Sequence, residues 1–422
     1  MLSDRPLAAQ IGGEVFNLRF TPKKDTQIHL LRYGEDMGRR VYERTLQFLF
    51  ILAMRKEFPR ARVCVRYSLG PGLFITVDGM EEPFNEEAAL KVETEMRRLV
   101  RLKLPLERRR ISIKEALSFY EQDGQADKAK LLKWRRFSYF DVYQIDGYMD
   151  YFYGEMAPDT SYADVFRVKY VHDGAVVLLM PRSDAPDVPS DYVDLPKLHA
   201  VFHQSDEWGK LMECATVNDL NTHIQNGTIR ELVRINEALH DRGYADIADK
   251  IVQKGAKAVL VAGPSSSGKT TSAHRISTQL RLQGCHPVML SLDDYYIDRD
   301  KIERDENGEI DLENINTLDI QRFGSDLAAL IRGEKVEVPR FDFTNGKRAP
   351  EGRILQLHDD EPVIIEGIHG LNPMLLSPEV DESKIFRVYV SALTTLNLDR
   401  SEEHTSELQS PKDLVCRLLL EK

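Results

Sequence analysis

One glycine-rich stretch carries the clearest chemical signal in the chain, residues 263–271 with the sequence GPSSSGKTT. It fits the pattern G-x-x-x-x-G-K-[ST], in which glycines let the main chain wrap closely around phosphate oxygens. Lys269 occupies the position of the lysine that reaches the β- and γ-phosphates, and Thr270 supplies a hydroxyl that can ligate magnesium. The stretch therefore predicts a nucleoside triphosphate site. Its predicted binding residues are Gly263, Ser265, Ser266, Ser267, Gly268, Lys269, Thr270 and Thr271.

The flanking sequence gives this stretch the setting that a phosphate-binding loop needs. The apolar run at residues 258–262 predicts a strand before the loop, and residues 272–282 predict a helix after it. A helix N-terminus offers unpaired N–H groups and a partial positive charge to an anion. A glycine-rich turn with an unrelated lysine is the alternative, and the strand–loop–helix order disfavours it.

Two acidic residues follow predicted strands and can act at the same edge of a sheet. Asp293 comes after the apolar run at 287–292, and Glu366 ends the run at 362–366. Ligands of an open α/β sheet bind beyond the carboxyl ends of its strands, so both carboxylates are expected to face the phosphates. We predict that Asp293 accepts the proton of an attacking hydroxyl or helps to hold magnesium, and that Glu366 organises magnesium. A solvated turn at Asp293 and a structural role for Glu366 are the alternatives.

A turn-rich loop at residues 339–348 mixes aromatic and basic side chains, which suits a polar substrate with a flat ring. Strands and helices alternate from residue 258 onward, and this order predicts a parallel sheet. The second half is therefore expected to be an α/β domain whose ligands bind at the strand ends.

The composition limits the class of protein. A chain of 422 residues with 42% hydrophobic residues can form two or three domains with packed cores. It has no apolar run near the roughly 20 residues that span a bilayer, and its first residues lack the pattern of a secretory signal. The four cysteines are scattered without a C-x-x-C pair, and the net charge is −11. We therefore expect a cytoplasmic protein without membrane contact, structural disulfides or general affinity for nucleic acid.

The first half mixes strand patterns with helical ones. Strands are predicted at residues 14–20, 61–68, 73–78 and 165–181, and helices at 37–58, 85–101 and 113–123. Residues 184–196 are rich in proline, aspartate and serine and predict a loop, after which two or three helices lead to residue 254. This mixture predicts an α+β domain ahead of the phosphate-binding domain.

Four motifs of the second half, GPSSSGKTT, SLDDYY, PRFDF with GKR, and VIIEGIHGL, closely resemble those of uridine kinase-like nucleoside kinases of the phosphoribulokinase and uridine kinase superfamily. The resemblance covers residues 254–399. It implies an α/β P-loop kinase fold that transfers the γ-phosphoryl group of ATP, with Mg²⁺, to a ribose 5′-hydroxyl. It implies that Asp293 is catalytic and acts with Lys269, and that Thr270 and Glu366 hold magnesium. The implied substrate-binding residues are Tyr296, Glu313, Phe341 and Arg348.

Two departures from that family bear on activity. Uridine–cytidine kinases carry a tyrosine and a histidine around the pyrimidine where this chain has Phe341 and Gly346, so recognition of uridine itself is not implied. The family also continues into a lid helix with phosphate-clamping arginines, whereas the sequence after Asp399 differs. We therefore expect this chain to bind ATP with impaired turnover. The alternatives are another small hydroxylated metabolite as the acceptor, or an ATP-binding regulatory protein that associates with RNA.

The first half resembles the TGS and second additional domains of threonyl-tRNA synthetase. The matching segments are RRVYERTLQF at 39–48, YSLGPGLF at 67–74, LPLER at 104–108 and YFYG at 151–154. An H-x-x-x-H pair serves editing in the synthetase, and its places fall here at Tyr42 and Leu46, which implies that hydrolytic editing is absent. Basic clusters at 39–40, 108–110 and 135–136 could contact RNA, although a solvated charged face fits the acidic total better.

The last residues, 400–422, resemble a translated sequencing-library adapter. We therefore expect the natural chain to continue beyond Asp399 with a different sequence. The sequence allows either a monomer or an oligomer. The predicted organisation is a partial TGS-like segment at 1–34, a synthetase-like α+β domain at 35–210, a helical connector at 211–255, a P-loop kinase domain at 256–399 and the adapter-like tail at 400–422.

Overall fold

The computed structural model describes residues 1–69, 72–302, 310–359, 361–392 and 396, and the main chain of 416–420. These residues form two compact units. The first contains Met1–Leu195 and Gly209–Gln225, and the second contains Pro196–Trp208 and Asn226–Thr394. Within the described ranges, no helix combines the length and the apolar composition that crossing a membrane requires.

Short strands and helices alternate irregularly up to residue 225. The strands are β1 Ala8–Ile11, β2 Glu14–Phe16, β3 His29–Leu31, β4 Arg62–Leu69, β5 Gly72–Asp78, β6 Glu107–Ser112, β7 Tyr139–Ile145, β8 Tyr148–Asp150, β9 Arg167–His172, β10 Ala175–Leu179, β11 Pro181–Arg182 and β12 Ala185–Pro189. The helices are α1 Asp36–Glu57, α2 Glu86–Leu102, α3 Ile113–Gln122, α4 Ala126–Leu132, α5 Pro196–Leu211 and α6 Val217–Gln225. The strands pair antiparallel in the orders β2-β1-β3, β4-β5-β10-β9, β6-β7-β8 and β11-β12. The first unit is therefore an α+β domain, as predicted.

Helix α1 runs through the main core of the first unit. All of its residues from 45 to 54 are buried, which is typical of a helix that is covered on every side. Its apolar side chains share this core with those of α2, β5 and β10. A second, smaller core joins α3 and α4 to β7.

The predicted helices of the first unit are confirmed to within one or two residues. Two of them begin where a polar side chain caps the first turn: Asn85 accepts the Ala88 N–H before α2, and Ser112 accepts the Glu115 N–H before α3. The predicted strand at 14–20 is wrong beyond Phe16, because the Asn17 side chain accepts a main-chain N–H two residues on and turns the chain.

Two other predictions for the first unit need correction. The stretch at 165–181 is not one strand, because the chain reverses at Gly174, which has a φ of +79°, and forms the β9–β10 hairpin. The stretch at 184–196, predicted as a loop, contains β12, which pairs with β11. Residues 70 and 71, between the predicted strands at 61–68 and 73–78, lie outside the described residues.

The second unit contains one long helix and a mostly parallel sheet. Its elements are α7 Ile229–Lys254, β13 Ala258–Ala262, α8 Lys269–Leu282, β14 Val288–Ser291, α9 Ile320–Ile331, β15 Val336–Val338, β16 Phe341–Asp342, β17 Lys347–Arg348, β18 Arg353–Leu355, β19 Val363–Glu366, β20 Ile385–Ala392 and β21 Cys416–Leu420. The sheet order is β14-β19-β13-β20-β21, and all neighbours are parallel except β20 and β21. The predicted parallel sheet is therefore confirmed.

Strand β13 is buried along its whole length because helices cover both faces of the sheet. Ala258 and Leu260 belong to a core that includes α9, whereas Val259 and Val261 belong to a core that includes α7 and α8. Successive side chains of a strand point to opposite faces, so a continuous apolar run is what a central strand needs. The predicted domain boundaries stay predictions, and the adapter-like tail lies outside the described residues except for the main chain of β21.

Candidate active site

The glycine-rich loop leaves the carboxyl end of β13 and leads directly into α8. A Cβ atom on Gly263 would lie 2.0 Å from the Val390 carbonyl oxygen, so only glycine fits there. Gly268 has a φ of +88° and immediately precedes the helix, which begins at Lys269 and not at residue 272 as predicted. The unpaired N–H groups of the first helical turn are therefore part of the loop, which suits phosphate binding.

The predicted phosphate-binding residues differ in their exposure. Ser265, Ser266, Thr270 and Thr271 are exposed, whereas Gly263 and Ser267 are buried. The Lys269 ammonium lies against the loop, since Nζ donates a hydrogen bond to the Pro264 carbonyl oxygen at 2.8 Å. The cation is thus held where phosphate oxygens would bind.

A chain of hydrogen bonds connects the ends of β14 and β19 to the first turn of α8. The Thr270 hydroxyl donates to Glu366 Oε2 at 3.2 Å, and the Ser291 hydroxyl donates to Glu366 Oε1 at 3.0 Å. The Ser291 oxygen in turn accepts the Asp293 N–H at 3.3 Å. Glu366 pairs in register with Val261 and with Ser291, so the parallel sheet itself brings these residues together. The prediction that Asp293 and Glu366 lie at one edge of the sheet agrees with this geometry.

Asp293 is half-buried, and its surroundings favour the neutral form. Burial raises the pKa of the Asp293 carboxyl, the negative charge of Glu366 raises it further, and the Lys269 cation opposes both. Among the described residues, no group donates a hydrogen bond to this carboxylate. It is therefore a comparatively basic carboxylate whose lone pairs are available to an incoming hydroxyl.

Thr270 and Glu366 form a set of oxygen donors that fits Mg²⁺. This ion prefers oxygen ligands, and in phosphoryl-transfer sites it takes one or two carboxylates together with substrate phosphates and water. The described part of the chain holds no cluster of three or more histidine, cysteine or acidic residues that could bind a metal without such phosphates.

An aromatic pocket is lined in part by Asp293. It encloses about 100 Å³ and is lined by Asp293, Tyr296, Ile297, Arg299, Ile302, Leu312, Phe341 and Phe343. The ring centroids of Phe341 and Phe343 are 5.1 Å apart, and the Tyr296 ring lies 5.6 Å and 6.2 Å from them. Two of the predicted substrate residues, Tyr296 and Phe341, thus line one pocket with the predicted base.

The other two predicted substrate residues lie at the margin of this pocket. Glu313 is exposed and follows the lining residue Leu312. Burial, then the charge of Asp293, then the charge of Glu313 raise the pKa of the Tyr296 hydroxyl, which places Glu313 electrostatically near the pocket. The Arg348 guanidinium forms its hydrogen bonds with other groups of the protein.

Arg348 ties the hairpin β16–β17 to the turn that carries Tyr296. Its Nε donates to the Tyr296 carbonyl at 3.1 Å, and its Nη2 donates to the Tyr295 carbonyl at 3.3 Å and to Asp319 Oδ2 at 2.9 Å. Its main-chain N–H also donates to Asp298 Oδ1 at 2.9 Å. These bonds hold the aromatic turn in place, and direct contact with substrate stays a prediction.

The sequence did not predict three residues of the site, Ser291, Arg299 and Phe343. Ser291 could have been found from its position, because it is the last residue of a strand that pairs with Glu366. Phe343 lies within the loop at 339–348 that was expected to face a flat ring. Arg299 belongs to none of the motifs, and only the structure shows that it lines the pocket.

The two positions of the first unit that correspond to the editing histidines of the synthetase are buried in its core. Leu46 is fully buried, and the buried Tyr42 bonds through its hydroxyl to the Val165 main chain. Many of the arginines in the predicted basic clusters are neutralised by neighbours: Arg110 pairs with Asp141 at 2.8 Å, and Arg108 pairs with the same carboxylate at 3.0 Å. This pairing favours the solvated, internally compensated face over a free RNA-binding surface.

The two halves of the chain match different known proteins. Residues 258–401, about a third of the chain, match the Phosphoribulokinase / Uridine kinase family. The first half is similar to threonine–tRNA ligases: that of Carboxydothermus hydrogenoformans is 27% identical over 175 residues, which covers 40% of this chain and 26% of the ligase. The ligase of Acetivibrio thermocellus is 28% identical over 127 residues, which covers 30% of this chain and 20% of the ligase. The chain thus spans about a quarter or less of these relatives.

Two solved structures show a weak similarity to part of this chain. A possible uridine kinase from Bacillus stearothermophilus is 24% identical, covers 35% of this chain and 79% of its own, and has a TM-score of 0.28. A D-glycerate 3-kinase from Cryptococcus neoformans is 20% identical, covers 31% of this chain and 52% of its own, and has a TM-score of 0.25. The family match and the sheet topology together give the second unit the α/β fold of a P-loop kinase.

Proposed function

We propose that the protein transfers the γ-phosphoryl group of ATP to the 5′-hydroxyl of a nucleoside. The observation that carries the proposal is the position of Asp293. The charges of Lys269 and Glu366 at the phosphate loop shift the pKa of its carboxyl, and Asp293 also lines the aromatic pocket. A group between a triphosphate site and a pocket for a flat ring is placed to act on a hydroxyl that joins the two.

Each residue of the site has a task in this reaction. The acceptor oxygen attacks the γ-phosphorus while its proton passes to Asp293, and the bond from the γ-phosphorus to the bridging oxygen of ADP breaks. The raised pKa of Asp293 makes it a stronger base than an ordinary carboxylate. Lys269 and the first turn of α8 hold the phosphates, and Thr270 and Glu366 hold Mg²⁺, which neutralises charge on the phosphate oxygens when bound.

The aromatic pocket supports a nucleoside over acceptors without a ring. Tyr296, Phe341 and Phe343 present faces and edges on which a base can stack. Glycerate or a small sugar would leave these rings without a partner of matching shape. We place the reaction in the reducing cytoplasm, which suits Cys64, Cys214 and Cys285 because none of them forms a disulfide in the described part of the chain. We also propose that the first unit does not hydrolyse mischarged tRNA. Tyr42 and Leu46 stand at the positions of the editing histidines, and both side chains are buried in the core.

A panel of acceptors tests the proposal. ADP release from ATP is measured with Mg²⁺ and, in separate reactions, with four ribonucleosides, glycerate, fructose and a pentose phosphate. We expect release above the ATP-only background with nucleosides and a new nucleoside 5′-monophosphate in the products. Release that depends on glycerate or a sugar, with none for nucleosides, would contradict the nucleoside assignment but keep the kinase. A Lys269→Met variant serves as the control for contaminating kinases.

A further inference from the structure

We propose that Arg299 determines specificity by binding a carbonyl oxygen on the edge of the substrate's base. This inference rests on the proposed function and names the chemistry that the pocket selects. It concerns a residue that lies outside the four motifs that carry the resemblance to nucleoside kinases. Three observations support it: the packing of its stem, the character of the pocket, and the state of its guanidinium.

The stem of Arg299 packs against Gly346. The Arg299 N–H donates to the Gly346 carbonyl at 2.9 Å, which joins the turn before the pocket to the tip of the β16–β17 hairpin. A Cβ atom on Gly346 would lie 2.6 Å from Arg299 Cδ, and the φ of +66° disfavours any side chain there. Gly346 stands where uridine–cytidine kinases carry a histidine, so the arginine stem uses space that a side chain at 346 would take.

The pocket that Arg299 lines is otherwise apolar or aromatic, apart from Asp293 and the Tyr296 hydroxyl. That hydroxyl already donates to the Leu312 carbonyl at 3.3 Å. The base has no other polar side chain among the lining residues to read its edge. Arg299 is therefore the lining residue that can distinguish one base from another.

The guanidinium of Arg299 is available for a ligand. Arg299 is exposed, and among the described residues its side chain has no hydrogen-bond or ion-pair partner, so water satisfies it. Guanidinium carries five N–H donors and no acceptor, so it binds carbonyl oxygens and ring nitrogens and not amino groups. It also stacks well on flat rings. A base with an acceptor on the facing edge gains a charge-assisted bond, and a base without one loses it.

Matched nucleoside pairs test the inference independently of turnover. Dissociation constants are measured by titration calorimetry with the full chain, Mg²⁺ and a non-hydrolysable ATP analogue. The pairs are uridine with its analogue that lacks the 4-oxygen, and inosine with purine riboside. Arg299→Met keeps most of the stem that packs on Gly346 and removes the donors. Arg281→Met, at an exposed position near the end of α8, is the matched control.

The wild type and Arg281→Met should bind the oxygen-bearing member of at least one pair about 10-fold more tightly, which corresponds to ~1.4 kcal/mol. Arg299→Met should bind both members of that pair equally while its affinity for the ATP analogue is unchanged. Equal discrimination by wild type and Arg299→Met would overturn the role of Arg299 and leave the nucleoside kinase intact, as would a wild type that does not discriminate. A wild type that binds the ATP analogue but no nucleoside would overturn the proposed function, and the inference with it.

Discussion

Asp150 in the first unit and Asp293 in the second are carboxylates withdrawn from water, but their surroundings are opposite. Asp150 is 1% exposed and meets three donors: the Lys128 ammonium, the Tyr148 hydroxyl at 3.0 Å and the Tyr151 N–H at 2.8 Å. Asp293 is half-buried, accepts no hydrogen bond from the described residues, and has the like charge of Glu366 nearby. The first arrangement stabilises an ionised pair, whereas the second raises the free energy of ionised Asp293.

This contrast separates a structural carboxylate from a reactive one. The Lys128–Asp150 pair is closed: the ammonium also lies 5.5 Å and 5.4 Å from the Tyr120 and Tyr151 ring centroids, so no ligand is needed to complete it. The Asp293–Glu366 pair is open, and it becomes favourable only when a proton, a cation or a ligand arrives. Perturbed carboxylates of the open kind are those that point to function.

The largest effect on stability is expected from breaking the closed pair. Lys128→Met leaves Asp150 charged and buried, and should lower the free energy of unfolding of the first unit by about 3–5 kcal/mol. Affinity for an ATP analogue should not change, because the nucleotide site belongs to the second unit. Denaturant unfolding and calorimetric titration measure the two quantities.

The double variant Lys128→Met/Asp150→Asn is the control for that prediction. It removes both charges and keeps an acceptor for the Tyr148 hydroxyl, so it should recover most of the lost stability. A double variant as unstable as Lys128→Met would show that lost packing, and not an unpaired charge, is the cause.

The next effect concerns the Asp293–Glu366 pair. Glu366→Gln should lower turnover about 10- to 100-fold, in line with the loss of a group that supports a metal. It also removes a charge that raises the pKa of Asp293, so that pKa should fall. The base must be deprotonated to act, so the acid limb of the kcat/KM profile for the acceptor should move to lower pH. A limb that stays in place at saturating Mg²⁺ would mean that the two carboxylates do not interact.

The smallest of these effects concerns Arg348, which positions the aromatic turn. Arg348→Met removes its side-chain bonds to the Tyr295 and Tyr296 carbonyls and to Asp319, which hold the aromatic turn in place. We expect KM for the acceptor to rise about 10-fold while KM for ATP stays unchanged. Arg332→Met, which breaks an exposed pair with Glu334, should leave both values near wild type. Equal changes in both KM values would instead indicate general destabilisation.

The sequence predicted the parts of the site that depend on local order along the chain. The phosphate loop, Asp293 and Glu366 each follow an apolar strand, and a parallel sheet necessarily brings their carboxyl ends to one edge. The helices of the first unit were also predictable, because each shows a helical spacing of apolar residues and two have capping residues.

Contacts between residues distant in sequence could not be predicted in the same way. The use of Arg348 within the protein depends on carbonyl oxygens some fifty residues earlier, and no pattern at residue 348 shows it. Arg299 lines the pocket because the hairpin folds back onto it at Gly346. Strand β12 was missed because proline and aspartate favour loops, and only pairing with β11 makes it a strand.

The central claim is that Asp293 is the base of a phosphoryl transfer, and one comparison tests it most directly. Nucleoside-dependent ADP release is measured for Asp293→Asn and for Asp294→Asn, together with ATP affinity and the melting temperature. Asp294 is the neighbouring carboxylate and accepts the Phe341 N–H at 3.4 Å, a bond that asparagine can keep.

The account predicts that Asp293→Asn lowers nucleoside-dependent release by about 10²- to 10⁴-fold and that Asp294→Asn lowers it far less. ATP affinity should be unchanged. Because the pKa of Asp293 is raised in the folded protein, its ionised form costs stability above that pKa, so Asp293→Asn should not lower the melting temperature at neutral pH. Release by Asp293→Asn at the wild-type rate, from a folded protein, would contradict the account.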